Sequence, residues 1–98
     1  MLRKTYSKKG SSCRVTFDLP VDGNTKKVSL CGEFNDWDPG AQPMKRRKDG
    51  RFSTTLYLTS GQDYRFRYLL DGHRWENDWN ADSYAPNCFG TEDSLIRV

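Results

Sequence analysis

The sequence predicts an all-β protein, an antiparallel β-sandwich of about seven short strands in a single domain. Turn signals recur along the chain at Asp22-Gly23-Asn24, Pro39-Gly40, Asp49-Gly50, Ser60-Gly61 and Asp71-Gly72, which is the rhythm of small sandwiches and barrels. The segments between them alternate apolar and polar residues, and no window keeps a helical period. Only 35% of the 98 residues are hydrophobic, but 13% are aromatic, so a core can be built from a few large rings. That length also excludes a (β/α)₈ barrel, which needs roughly 250 residues.

The first segment reads as a tail. Residues 1–14 carry Arg3, Lys4, Lys8, Lys9 and Arg14 with no acid, a formal +5, whereas the rest holds 11 basic and 13 acidic residues, a formal −2. Residues 1–12 are therefore expected to be a flexible basic tail, and residues 13–98 the folded domain. Residues 13–19 alternate cleanly, with Val15, Phe17 and Leu19 on one face. Residues 27–31 turn Val28 and Leu30 inward. Residues 44–48 and 52–58 flank Asp49-Gly50, a pair that suits a tight hairpin with a primed turn. Residues 64–70 place Tyr64, Phe66, Tyr68 and Leu70 on one face and Arg65, Arg67 and Leu69 on the other. Asp71-Gly72 leads into a short strand at 73–76, and residues 94–98 form the last.

Little supports catalysis. His73 is the sole histidine and sits beside a turn, with no serine or cysteine at a catalytic spacing. Asp36 and Asp38 flank a tryptophan in a loop, where turn formation is the plainer reading, and Glu33 and Glu76 cannot be paired. Cys13, Cys31 and Cys88 are odd in number and lack Cys-x-x-Cys spacing, which points to neither a zinc site nor a disulfide framework. No metal or cofactor is expected. There is no apolar segment of signal-peptide or membrane-spanning type, so a reducing cytoplasm is the expected compartment.

The unusual feature is where tryptophan falls. Trp37 lies in a polar loop, Trp75 follows a turn, and Trp79 follows Asn77-Asp78. All three could plug the ends of the sandwich, as large aromatics usually do. Alternatively, indoles displayed to solvent stack on the C–H face of a sugar.

Gly32-Glu33-Phe34-Asn35-Asp36-Trp37, the strand Tyr64-Arg65-Phe66-Arg67-Tyr68 running into Asp71-Gly72, Trp75, and the segment from Pro86-Asn87 through Thr91-Glu92-Asp93-Ser94 form one ordered set. This set resembles the family forty-eight carbohydrate-binding modules, the isoamylase N-terminal or early-set domains, which include the glycogen-binding domain of AMP-activated protein kinase β subunits. The resemblance implies an immunoglobulin-like sandwich and non-catalytic binding of α-glucans such as glycogen, starch or maltooligosaccharides. It assigns stacking to Trp37 and Trp75, hydroxyl donation to Arg67, a threading contact to Phe89, and polar contacts to Thr91 and Asp93. Two departures stand out. Asp93 replaces an asparagine and can accept but not donate. Trp75 lies one residue further from Asp71-Gly72 than in the kinase module, a shift that reverses a strand face unless the turn absorbs it. Trp79 has no counterpart and is assigned to packing.

The partners implied are an α-glucan and a glucan-active enzyme or kinase-type protein, with neither nucleic acid nor membrane. One alternative is an accessory domain preceding a family-thirteen glycoside hydrolase or branching enzyme. Another is an OB-like binder of single-stranded nucleic acid, using the basic tail and residues 45–48. The formal −2 of the body counts against the latter.

Overall fold

In the computed structural model, which describes residues 2–98, two antiparallel sheets face each other across a core of alternating side chains. The strands are β1 (Leu2–Tyr6), β2 (Ser12–Leu19), β3 (Val28–Gly32), β4 (Lys45–Arg46), β5 (Phe52–Thr59), β6 (Asp63–Leu70), β7 (Arg74–Glu76), β8 (Ser83–Pro86) and β9 (Glu92–Arg97). A single 3₁₀ turn, Glu33–Asn35, follows β3. The first sheet has the order β1-β2-β5-β4, and the second has β3-β6-β9-β8 with β7 also pairing β6. The all-β sandwich expected from the alternation is therefore what forms, as two separate sheets rather than the closed OB-like barrel.

Inward-facing positions of β2 (Cys13, Val15, Phe17, Leu19) meet Leu30, Phe66, Tyr68 and Ile96 of the second sheet. The Phe17 and Phe66 rings lie edge to face with centroids 5.2 Å apart, and Phe66 meets Tyr68 likewise at 5.8 Å. The Tyr68 hydroxyl donates to Asp78 Oδ2 at 2.7 Å. Burial, and then the neighbouring Asp78 carboxylate, push the phenol well above its ordinary pKa, so it remains a neutral donor. Asp78 N donates to Ser94 Oγ at 2.9 Å, and Asn80 N donates to Asp78 Oδ1 at 2.8 Å. This polar plug holds the crossover from β7 to β8 against the core.

Four expectations need correction. The tail is one: Leu2–Tyr6 is a strand paired with β2 from Leu2↔Phe17 to Tyr6↔Cys13, while Met1 lies outside the described residues. Leu2 packs on the core, and Lys4 Nζ reaches Asp82 Oδ2 across the sandwich at 2.5 Å. Burial pushes the Asp82 carboxyl up, but the donors from Lys4 and Arg97 outweigh it and hold its pKa low. Deleting residues 1–10 should consequently lower the Tm by several degrees, since β2 loses one of its two partner strands and becomes an edge, and Asp82 loses its Lys4 cation. Thermal unfolding of the truncated chain checks this, and an unchanged Tm would return the segment to tail status.

The second correction is β8, a strand that sequence alternation did not reveal. The third is the turn at Asp49-Gly50. Gly50 alone is left-handed there (φ 88°), Gly50 N bonds Arg47 O at 3.0 Å, and Arg47 N bonds Arg51 O at 2.7 Å. The connection is thus longer than a two-residue primed hairpin, which needs positive φ at both central residues in type I′ or at the first in type II′.

Trp79 is the fourth. It is 82% exposed, lying beside Leu19 and Pro20 at the sandwich end, so it is not a core residue. Trp79→Ala should change stability by less than about 0.5 kcal/mol. A melting temperature depressed by many degrees would show that the ring packs after all.

Candidate functional site

Strand alternation turns a second set of side chains away from the core, onto the outer face of the second sheet. Cys31 lies opposite Arg67, Arg65 opposite Leu95, and Leu69 opposite Trp75. Loops rise at both sides of this face and leave an open groove of about 850 Å³. Trp37, Arg67, Trp75, Phe89, Thr91 and Asp93 all line it, together with Glu33, Arg65 and Asn87. The six positions singled out from the sequence are therefore brought together.

One wall is the loop carrying Trp37, and its geometry is unusual. Asp36 (φ 54°) and Trp37 (φ 59°) are successive left-handed residues, neither of them glycine. Such a conformation costs on the order of 1 kcal/mol or more per residue and persists only where surrounding contacts impose it. Asn35 supplies them: its Nδ2 donates to Leu30 O at 2.9 Å and its Oδ1 accepts from Gly32 N at 3.0 Å. Trp37 N bonds Gly32 O at 2.9 Å, and Asp38 N bonds Asn35 O at 3.1 Å. Phe34 meanwhile anchors the loop by packing its ring near Phe17 and Tyr64. Beneath lies Cys31, whose thiol pKa is raised by burial and then by the Asp38 carboxylate. It is a packing residue, not a nucleophile.

Trp75 is placed by the β6–β7 connection. Asp71 (φ 52°) and Gly72 (φ 77°) are both left-handed, and His73 N bonds Leu70 O at 3.2 Å, yet the ladder resumes at Leu70↔Arg74. The loop thus holds three residues, 71–73, and absorbs the extra one. Trp75 consequently lands on the face of Leu69 and Arg67, 42% exposed. The Asp71 carboxylate accepts from Lys26 N (2.9 Å) and Lys27 N (3.0 Å), which holds its pKa low and ties the turn to the entry of β3. The Arg67 guanidinium carbon lies 5.9 Å from the Trp75 ring centroid, a cation–π separation. Its Nε–H has no hydrogen-bond partner among the described residues.

The opposite wall is organised by Asn87. Its Oδ1 accepts from Phe89 N (3.0 Å) and Thr91 N (3.2 Å), and its Nδ2 donates to Thr91 Oγ1 (2.8 Å) and Asp93 Oδ1 (3.1 Å). This holds Phe89 outward, 86% exposed. Asp93 is buried, and Arg65 Nη1 approaches its other oxygen at 3.4 Å while donating to Pro86 O at 2.9 Å. Arg65 N also donates to Glu33 Oε1 at 2.7 Å. Sequence reasoning omitted Arg65 and Asn87 from the site. Alternation already put Arg65 on the face of Arg67, whereas the organising role of Asn87 emerges only from the folded loop.

A family model described as the glycogen recognition site of AMP-activated protein kinase matches residues 13–98. The chain belongs to that family. The chain is also similar to 1,4-alpha-glucan branching enzymes GlgB. That of Aquifex aeolicus is 30% identical over 92 residues, covering 87% of this chain and 14% of the enzyme. That of Pseudomonas aeruginosa is 32% identical over 65 residues, covering 66% of this chain and 9% of the enzyme. The chain thus spans a small fraction of the relatives it matches. As a glycogen-recognition module it keeps the ordered motifs read from its sequence, and the groove lies within the matched residues.

Proposed function

We propose that the groove binds an α-linked glucan without catalysis. The observation that carries this reading is the placing of three solvent-accessible rings, Trp37, Trp75 and Phe89, around two arginines in one open groove. Flat rings offer the C–H faces of glucose units a desolvated contact, while guanidinium N–H groups donate to hydroxyl oxygens. An open channel walled by two loops suits a long polymer entering and leaving at its ends. Membership of a glycogen-recognition family and similarity to glucan branching enzymes support the same ligand class.

Roles follow from position. Trp37 and Trp75 stack, Phe89 threads against the chain, and Arg67 donates. Thr91 offers a hydroxyl at the rim. Asp93 keeps a lone pair for a sugar hydroxyl, but its main work is to orient Arg65 and Asn87. Ring contacts worth about 1 kcal/mol each beyond the apolar area they bury give micromolar to millimolar affinity for short oligosaccharides, and glycogen gains by presenting many sites. Arg67→Ala should weaken maltoheptaose binding by about 1–2 kcal/mol, because hydrogen bonds are lost and the platform stays. Titration calorimetry with the oligosaccharide, alongside retardation in native gels containing glycogen, tests the reading. No retardation of the parent protein would overturn it.

The branching-enzyme relatives favour one biological setting, that of an accessory module which keeps glucan close to a glucan-active enzyme. Three free cysteines among the described residues suit a reducing cytoplasm.

A further inference from the structure

Charge is divided between the two sheets. Residues 2–19 and 45–59, which build the first sheet, hold ten basic and two acidic side chains, a formal +8. The remaining residues, including the groove, hold six basic and eleven acidic, a formal −5. Part of the basic set is used internally: Arg3 pairs with Asp18 at 3.0 Å, Lys4 with Asp82, and Arg46 lies over the Phe52 ring. Lys8, Lys9, Arg14, Lys45, Arg47 and Lys48 are exposed.

Register shows how this face is built. Outward positions of β1, β2 and β5 align Thr5, Arg14 and Tyr57 in one row and Arg3, Thr16 and Thr55 in the next. Thr16 and Thr55 bond each other through their hydroxyls at 3.1 Å. Three of these six side chains are threonines, and Tyr57 stands among them 74% exposed. Lys8 and Lys9 rim one end, at the β1–β2 turn, and Arg47 and Lys48 the other, at the β4–β5 turn.

We infer that the outer face of the first sheet docks a partner protein presenting clustered carboxylates. A central tyrosine beside an arginine, within a cationic rim, is the composition of a protein-interface anchor. The alternatives fit less well. Duplex nucleic acid is read by an element that enters a groove, and this face projects none. Single strands call for several stacking rings, and among the described residues Tyr57 is the one large ring exposed on this face. Stable membrane anchoring calls for inserting apolar residues beside the basic charges, and among the described residues of this face Tyr57 is the exposed large ring. Because the groove lies on the opposite sheet, an acidic partner and a glucan could be held simultaneously.

Poly-L-glutamate serves as the probe, titrated into isotopically labelled full chain at about 0.05 M and about 0.15 M salt. The expected result is chemical-shift change centred on Arg14, Thr16, Thr55 and Tyr57, with affinity falling as salt rises. The double reversal Arg14→Glu, Lys45→Glu should weaken binding about tenfold or more, and Tyr57→Ala about threefold, both leaving glycogen retardation at the parental level. An unaffected double reversal, or shifts centred on the groove loops, would overturn the proposal. So would tighter binding of oligothymidylate or of equimolar phosphatidylserine–phosphatidylcholine vesicles, or self-association through this face in sedimentation.

Discussion

Trp37→Ala abolishes most retention by glycogen and weakens maltoheptaose by at least about 2 kcal/mol, with only a small change in Tm. The ring lines the groove and is half-buried, while the loop beneath it is held by Asn35, Phe34 and backbone bonds that do not involve the indole. Removing the ring therefore takes away a binding anchor and leaves its mounting in place. Alanine must still adopt the left-handed conformation of residue 37, a cost the tryptophan already bears. Trp75→Ala should act in the same direction, since the three-residue loop delivers it to the same face. Calorimetry and thermal unfolding on the same samples separate the outcomes. Parental binding would remove Trp37 from the platform, whereas loss of cooperative unfolding would make it a structural plug.

Gly32→Ala is expected to damage fold and binding together. A Cβ at residue 32 would lie 2.5 Å from Arg65 O, 2.8 Å from the Phe34 ring and 2.9 Å from Phe66 Cβ. The backbone of residue 32 is extended, at φ −172°, so the obstacle is space rather than conformational strain. Relief requires β3 to move from β6 or Phe34 to leave its packing, and either displaces the Trp37 loop. Overpacking of this kind costs about 1–3 kcal/mol. A depressed Tm together with weaker glucan binding is the predicted pair of readouts. Parental values of both would show that the close approach of β3 and β6 does not position the loop.

The strands read from the sequence were those whose inward positions carry large apolar groups. β2, β5 and β6 show it plainly, with Val15-Phe17-Leu19, Phe52-Leu58 and Phe66-Tyr68-Leu70 set at alternate positions. β1 offers Leu2, Lys4 and Tyr6 inward, and Lys4 makes sense there only through Asp82, 78 residues away. β8 is a four-residue edge strand ending in proline, with no continuous apolar side. Backbone pairing with the next strand, β2 for β1 and β9 for β8, rather than an apolar alternation, decides both. The groove was legible in its rings because ordered motifs carried them. Trp79 was misassigned because the Tyr68–Asp78–Ser94 plug closes the sandwich end and leaves the adjacent indole outside.

The central claim is tested most directly through the three tryptophan indole N–H resonances of the labelled protein, followed during titration with maltoheptaose. The Trp37 and Trp75 signals should move together along one saturable curve while the Trp79 signal stays in place. Movement of Trp79 alone, or no movement of any indole under conditions where glycogen retards the protein, would contradict a stacking site on the outer face of the second sheet.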